Sequence, residues 1–173
     1  MPGDYVGTSG YEKIVGTIHF AVDPSDPRNR VIVDLDKAPT NAQHRVEFAA
    51  DLYILRPKDS ARANGVALVE VSNRGRKGLL STFNRAVGGL DPSTDADLGD
   101  GFLTRQGYTL VWVGWQFDVS RQGGLVALDP PIATGVSGVV RVELTPNDGN
   151  PETTIADLAG YASLDPWQTT CHR

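Results

Sequence analysis

The chain holds one cysteine, Cys171, so an internal disulfide is excluded. A lone thiol fits a reducing or an oxidising compartment equally. No apolar run approaches the roughly 18 residues that span a bilayer as a helix, so a membrane is not an expected partner. The opening stretch "MPGDYVGTSGYEK" lacks the basic and apolar regions of a secretory signal. This leans toward a soluble, cytoplasmic protein, with secretion left open if the true start lies elsewhere. Positive charge is also scarce: Lys plus Arg is 16 against 21 Asp plus Glu, a formal net charge of -5. That argues against nucleic acid as a partner, since polyanion binding calls for a basic surface.

Several chemical signatures are missing too. No HExxH or paired-cysteine spacing occurs, and His19, His44 and His172 are scattered, so no metal is expected. In "SNRGRKGLL", Lys77 is followed by Gly78 and Leu79, which fails the phosphate-binding pattern Gly-Lys-Ser/Thr. Gly75 and Gly78 are also wrongly spaced for a dinucleotide fingerprint. No serine sits in Gly-x-Ser-x-Gly. Ser9 and Ser137 have a glycine two residues before but Tyr11 and Val139 two residues after. Acyl transfer therefore has no nucleophile within these residues.

What is present is strand. At 173 residues the chain can bury roughly two thirds of its extended surface without a staple. "YEKIVGTIHFAV" places Ile14, Gly16, Ile18, Phe20 and Val22 on one face. "VIVDL" (31–35) reads as a short strand after the turn "DPSDPRNR". "RVEFAADLYILRP" alternates Val46, Phe48, Ala50, Leu52 and Ile54 against Arg45, Glu47 and Asp51, the period of a half-wet strand. "VALVEV" (66–71) and "YTLVWVGW" (108–115) are nearly continuous apolar runs, which predicts interior parallel strands covered on both faces. About forty residues separate their starts, room for a helical crossover. "GLLSTFNRAVGG" predicts a helix with Leu79, Leu80, Phe83 and Val87 on one stripe. "DGFLTRQGY" predicts a shorter one, capped by Asp100 and stopped at Gly107. "VVRVEL" (139–144) is a further strand. The organisation read from this is a β-rich region over 1–60 and an α/β region over 61–173.

If the two apolar strands run parallel, the turns after them share a rim, and ligands in open α/β sheets bind outside the carboxyl ends of strands. Asn73, Arg74 and Gly75 then become candidates for an anion- or oxyanion-binding loop, with Arg76 and Lys77 adding charge. A glycine there frees backbone N–H groups to face an anion. A solvated turn is the competing reading. Trp115 and Asp118, with Phe117 between them, are pocket candidates on the second loop, whereas Trp112 is expected in the sheet layer.

The succession "GTIHFAVDPSDPRNRVIVDLDKAP", "RVEFAADLYILRP", "VEVSNRGRKG", "GDGFLTRQGYTLVWVGWQFDV" and "GVVRVEL" resembles the amino-terminal part of the alpha/beta hydrolase domain-containing proteins, over roughly residues 11 to 165. The resemblance implies a β-rich amino-terminal region leading into a truncated α/β-hydrolase-like, partly parallel sheet. It also implies a serine ester hydrolase that needs no cofactor, whose nucleophile, acid and histidine lie farther along. Asn73, Arg74 and Gly75 match the family's early loop residue by residue, while Ser72 stands where an asparagine is expected. This portion alone is then expected to be inactive on a small ester, and its last strand to leave an edge open to self-association. The alternative is a β-rich module that binds a carbohydrate or another small polar ligand, with Tyr53, Trp115 and Trp167 as exposed aromatics.

Overall fold

The computed structural model describes residues 4–6, 10–120 and 122–136. The expected strand over 139–144, and Trp167, Cys171 and His172, lie outside these residues. The chain divides into two compact units, 1–20 with 48–130, and 21–47 with 131–173.

The first unit is built on a mixed sheet. Its strands are β1 (Asp4–Val6), β2 (Tyr11–Val22), β3 (Val46–Pro57), β4 (Ala67–Val71), β5 (Thr109–Val113) and the short β6 (Leu128–Asp129). The order is β1-β2-β3-β5-β4, with β6 also on β3. β3 runs antiparallel to β5, pairing Tyr53 with Trp112 and Leu55 with Leu110. β4 and β5 are parallel over five residues, Ala67↔Thr109 to Val71↔Val113. The chain thus crosses over to set β5 parallel to β4, as the two apolar runs predicted, and inserts it between β3 and β4.

Two short helices occupy the crossover, α1 (Leu79–Phe83) and α2 (Phe102–Arg105). The longer helix expected over 78–89 stops at Asn84. Arg85 turns left-handed at φ 53°, and Val87 is 98% exposed. The stop is chemical: the buried Asn84 amide donates to Leu98 O at 2.9 Å and accepts from Leu103 N at 2.8 Å, tying the end of α1 to α2. A buried side chain committed to two backbone partners elsewhere holds the chain out of helix at that point. α2 forms where it was read, but its N-cap is Gly101; Asp100, one residue earlier, accepts from Phe102 N at 2.9 Å, and Gly107 follows its end at φ +76°.

Tyr11, Tyr53, Leu55, Leu79, Leu80, Leu98, Leu103, Leu110, Trp112 and Val126 form one core. Trp112 and Leu110 are fully buried, but among the described residues β4 is not an interior strand. It lies at the sheet edge, and Val69 and Val71 are 58% and 63% exposed. Leu68 and Glu70 alternate toward the core side, so one face of β4 is covered and the other is not. Continuous apolarity alone does not distinguish a strand covered twice from one with a bare apolar face. On β3 the buried parity changes along the strand, from Val46 and Ala50 to Tyr53 and Leu55. The change falls where its neighbour changes from β6 to β5. A uniform alternation did not anticipate that.

In the second unit, residues 31–35 are not a strand. Val31 and Val33 are 84% and 85% exposed in consecutive turns, and Leu35 begins a single 3-10 turn ending at Lys37. The local bonds go to turns instead. Asp26 caps the turn at Arg28 N, and the Asn41 carboxamide accepts from Gln43 N and Arg45 N.

Candidate functional site

The parallel pair brings the two predicted loops together. Asn73–Gly75 forms a tight 3-10 turn directly after β4. Within it Arg74 is left-handed at φ 52° and Gly75 at φ +73°. Arg74 N–H donates to the Gln116 side-chain oxygen at 2.6 Å, and its guanidinium pairs with the Asp118 carboxylate at 2.7 Å and with Asp118 O at 3.1 Å. Residues 74, 116 and 118 therefore weld the loop after β4 to the loop after β5. Asn73 is exposed beside them, and Trp115 and Phe117 are 65% and 62% exposed. Asp118 has a structural partner in Arg74. Neither Asp118 nor Trp115 lines the cavity of about 440 Å³ beside β2 and β3.

Gly75 is required by close approach. A Cβ built there would sit 2.7 Å from Val126 O and 2.8 Å from Val119 Cγ1, and Gly75 O accepts from Val126 N at 3.1 Å. Both backbone conformation and space oppose a side chain. Gly75→Ala is expected to cost at least about 2 kcal/mol, read as a lower urea midpoint at unchanged slope. A midpoint within error of the parent would show that segment 119–126 yields freely.

Of the three cations beside this turn, Arg76 is exposed and Arg74 is paired with Asp118. Lys77 is 4% exposed, its ammonium donating to Leu90 O at 2.5 Å and to Gly124 O, with the Tyr53 ring centroid 4.2 Å away. Burial lowers its pKa to about 8. This lysine clamps loops and is not presented to a ligand, so the turn is no polycationic phosphate cradle.

Glu70 was not singled out from sequence. It projects from β4 onto the core side and accepts from Gly78 N at 2.9 Å, Leu79 N at 3.0 Å and Trp112 Nε1 at 2.5 Å. One carboxylate thereby fixes the end of the turn at Gly78 and the start of α1. A charge interrupting an apolar strand was the signal that could have found it. Ser72, between Val71 and the turn, is fully buried, and its hydroxyl has no hydrogen-bond partner among the described residues.

A separate cavity of about 440 Å³ lies beside β2 and β3, lined by Lys13, Gly16, Asp51, Tyr53, Asp91 and Val126 among others. Lys13 meets Asp91 at 3.2 Å, and the Tyr53 hydroxyl donates to Asp91 at 2.9 Å and to Pro92 O at 3.0 Å. Tyr53 is 2% exposed, so it is no exposed platform for a sugar ring, contrary to the reading of its alternating strand. The edge-on contact with Trp112, 5.7 Å between centroids, commits it to the core.

Among the described residues no cluster of three metal-binding side chains occurs, and no helix is long and apolar enough to cross a membrane. The fold defines the chain as a mixed-sheet protein with sparse helices, of α/β type in its parallel half. No protein-family model, curated protein or solved structure matches it.

Proposed function

We propose that this chain is the amino-terminal portion of a serine ester hydrolase and supplies one wall of its cleft, the triad residues being contributed from elsewhere in a longer polypeptide. The supporting observation is the parallel β4–β5 pair with a strand–turn–helix connection at Asn73–Gly75 on the rim that the two strands share. In α/β-hydrolases one oxyanion N–H comes from the loop between an early strand and the first helix. The turn after β4 and before α1 has that connectivity. Its rigidity suits the task, since Arg74, Gln116, Asp118 and Glu70 hold it without any ligand. Preorganised donors stabilise a developing oxyanion by about 3 kcal/mol only if they need not reorganise.

In this reading the chain's own residues position and exclude. Asn73 is exposed on the rim, Gly75 lets segment 119–126 pack against the turn, and the exposed Trp115 and Phe117 would offer apolar surface to an acyl or alcohol group. The step that forms and breaks the ester carbon–oxygen bonds is assigned to a serine farther along the polypeptide. The 173-residue polypeptide is therefore expected to hydrolyse activated aryl esters no faster than buffer. Product from a coding frame continuing past Arg173 is expected to carry Gly-x-Ser-x-Gly and to be blocked by a serine-directed phosphonate. Serine-dependent turnover by the 173 residues alone, or a natural stop after Arg173, would sink the proposal.

The second reading, a module binding a small polar ligand, draws on the 440 Å³ cavity. Its charged wall of Lys13, Asp51 and Asp91 would select such a ligand.

A further inference from the structure

The residues that line the cavity beside β2 and β3 all belong to the first unit. Two of its walls meet at an ion pair closed across 78 positions, between Lys13 on β2 and Asp91 in the crossover. Among the described residues the Lys13 ammonium donates to Asp91 alone, to Oδ1 at 3.2 Å and to Oδ2 at 3.4 Å. An ammonium has three N–H groups, so at least one is unspent. Asp91 Oδ1 also accepts from the Tyr53 hydroxyl at 2.9 Å. That leaves Oδ2 with the long Lys13 contact only, on a side chain that is 54% exposed. A donor and an acceptor with capacity to spare therefore stand side by side in the wall. Asp51, the other carboxylate of the lining, accepts from Ala127 N at 3.0 Å. Beyond the lining, the Lys77 ammonium lies 4.2 Å from the Tyr53 ring centroid, near enough to feel both Asp51 and Asp91. Below about pH 8 two ammoniums thus balance two carboxylates, and the pocket has no net charge to draw in an ion.

We propose that this pocket binds an uncharged polyol, a ligand of monosaccharide size that carries vicinal hydroxyls. Each hydroxyl both donates and accepts. One oxygen of a vicinal pair accepts from the Lys13 ammonium while its neighbour donates to Asp91 Oδ2. Both are hydrogen bonds to charged groups, the stronger kind. A carboxylate or phosphate ligand would bring its charge against Asp51 and Asp91. An amine would compete with Lys13 for the carboxylate that Lys13 already holds. Val15, Leu52, Leu125 and Val126 supply apolar wall for the C–H faces of such a ring, and about 440 Å³ lies within the range of small-molecule sites. This assignment rests on the second reading above, in which the cavity takes a small polar ligand, and is independent of the hydrolase reading.

The test is an amide NMR titration of the 173-residue chain in neutral buffer with glucose, and with glucosamine and glucuronate as its cationic and anionic counterparts. Glucose is expected to saturate with a dissociation constant below about 10 mM, to shift the amides of Asp51, Gly124 and Leu125, and to bind at least about fivefold tighter than either charged sugar. Lys13→Met, which removes the donor, is expected to weaken glucose about tenfold. Val15→Trp, at a lining position that is 61% exposed, is expected to fill the pocket and abolish the shifts while keeping the parent's circular dichroism. Either charged sugar binding at these amides as tightly as glucose overturns the polyol assignment and leaves the small-ligand reading standing. Silence from all three sugars also overturns the assignment. Silence from a further panel of small amines, amides and carboxylates would remove the small-ligand reading with it. Glucose shifts that survive in both variants place the binding elsewhere and overturn the proposal. Should Lys13→Met fail to fold, Val15→Trp and the three sugars decide alone.

Discussion

Glu70→Ala is expected to lower the unfolding free energy by about 3–5 kcal/mol, and Glu70→Gln by less, about 1–2 kcal/mol. The alanine leaves Gly78 N, Leu79 N and the Trp112 indole N–H without their acceptor at the edge of a core in which Trp112 is fully buried. Each stranded donor loses its protein partner without regaining full hydration, and the bonds lost are to a charged group, the stronger kind. Glutamine keeps one oxygen, so it retains part of the network while presenting an amide that repels another N–H. The check is urea unfolding followed by tryptophan fluorescence. A loss below 1 kcal/mol for the alanine variant would mean that water takes over these donors and that the turn after β4 does not depend on its carboxylate.

The second large effect is a stability that rises with alkalinity. Lys77 has its folded pKa lowered to about 8 from an ordinary 10.5, chiefly by burial, with nearby Asp91 acting in the opposite sense. Between those two values the unfolded chain binds the proton and the folded chain does not. Stability therefore increases with pH through this window, and the cost of burying the charge is fully present below about pH 8. The neutral amine still has two N–H groups for Leu90 O and Gly124 O, so deprotonation need not break the clamp. A gain of about 2 kcal/mol from pH 8 to 10 is expected. Above pH 10 the tyrosines reverse the trend. Burial raises Tyr11 to about 12 and also raises Tyr53, so the unfolded state releases their protons first and stability falls. Lys77→Met should flatten the rise between pH 8 and 10 while leaving the fall above it. It should also lower stability at pH 10, where two carbonyls lose their donor. Unfolding midpoints measured across pH 7 to 11 separate these cases, and an equal rise in parent and variant would assign it to another group.

The exposed parallel edge and the two clamps show how unevenly the chain announced its structure. β2, β3, β4 and β5 were legible because apolar periodicity is a local property of 5 to 12 residues. The crossover and parallel pairing followed from the distance between two apolar runs. Asn73, Arg74 and Gly75 were found because a strand stops there at a polar glycine turn. Asp118 was found too, but its partner was not, since Arg74 lies 44 positions earlier and only the parallel register brings the pair within 2.7 Å. Residues 31–33 misled because β-branched side chains favour strand locally, yet among the described residues no neighbouring strand accepts their backbone.

By itself the sequence determined strands β2 to β5, the stop after α2 at Gly107 and the meeting of two loops on one rim, because all of these arise from local periodicity and spacing. Tertiary structure alone decided that β4 is an edge, that Tyr53 is buried, and that Glu70 and Lys77 are clamps and not surface charges. Whether a charged or aromatic side chain meets water depends on which remote segment covers it. That choice is settled by the cooperative packing of residues 70, 77, 90, 112 and 124, which no window of sequence contains.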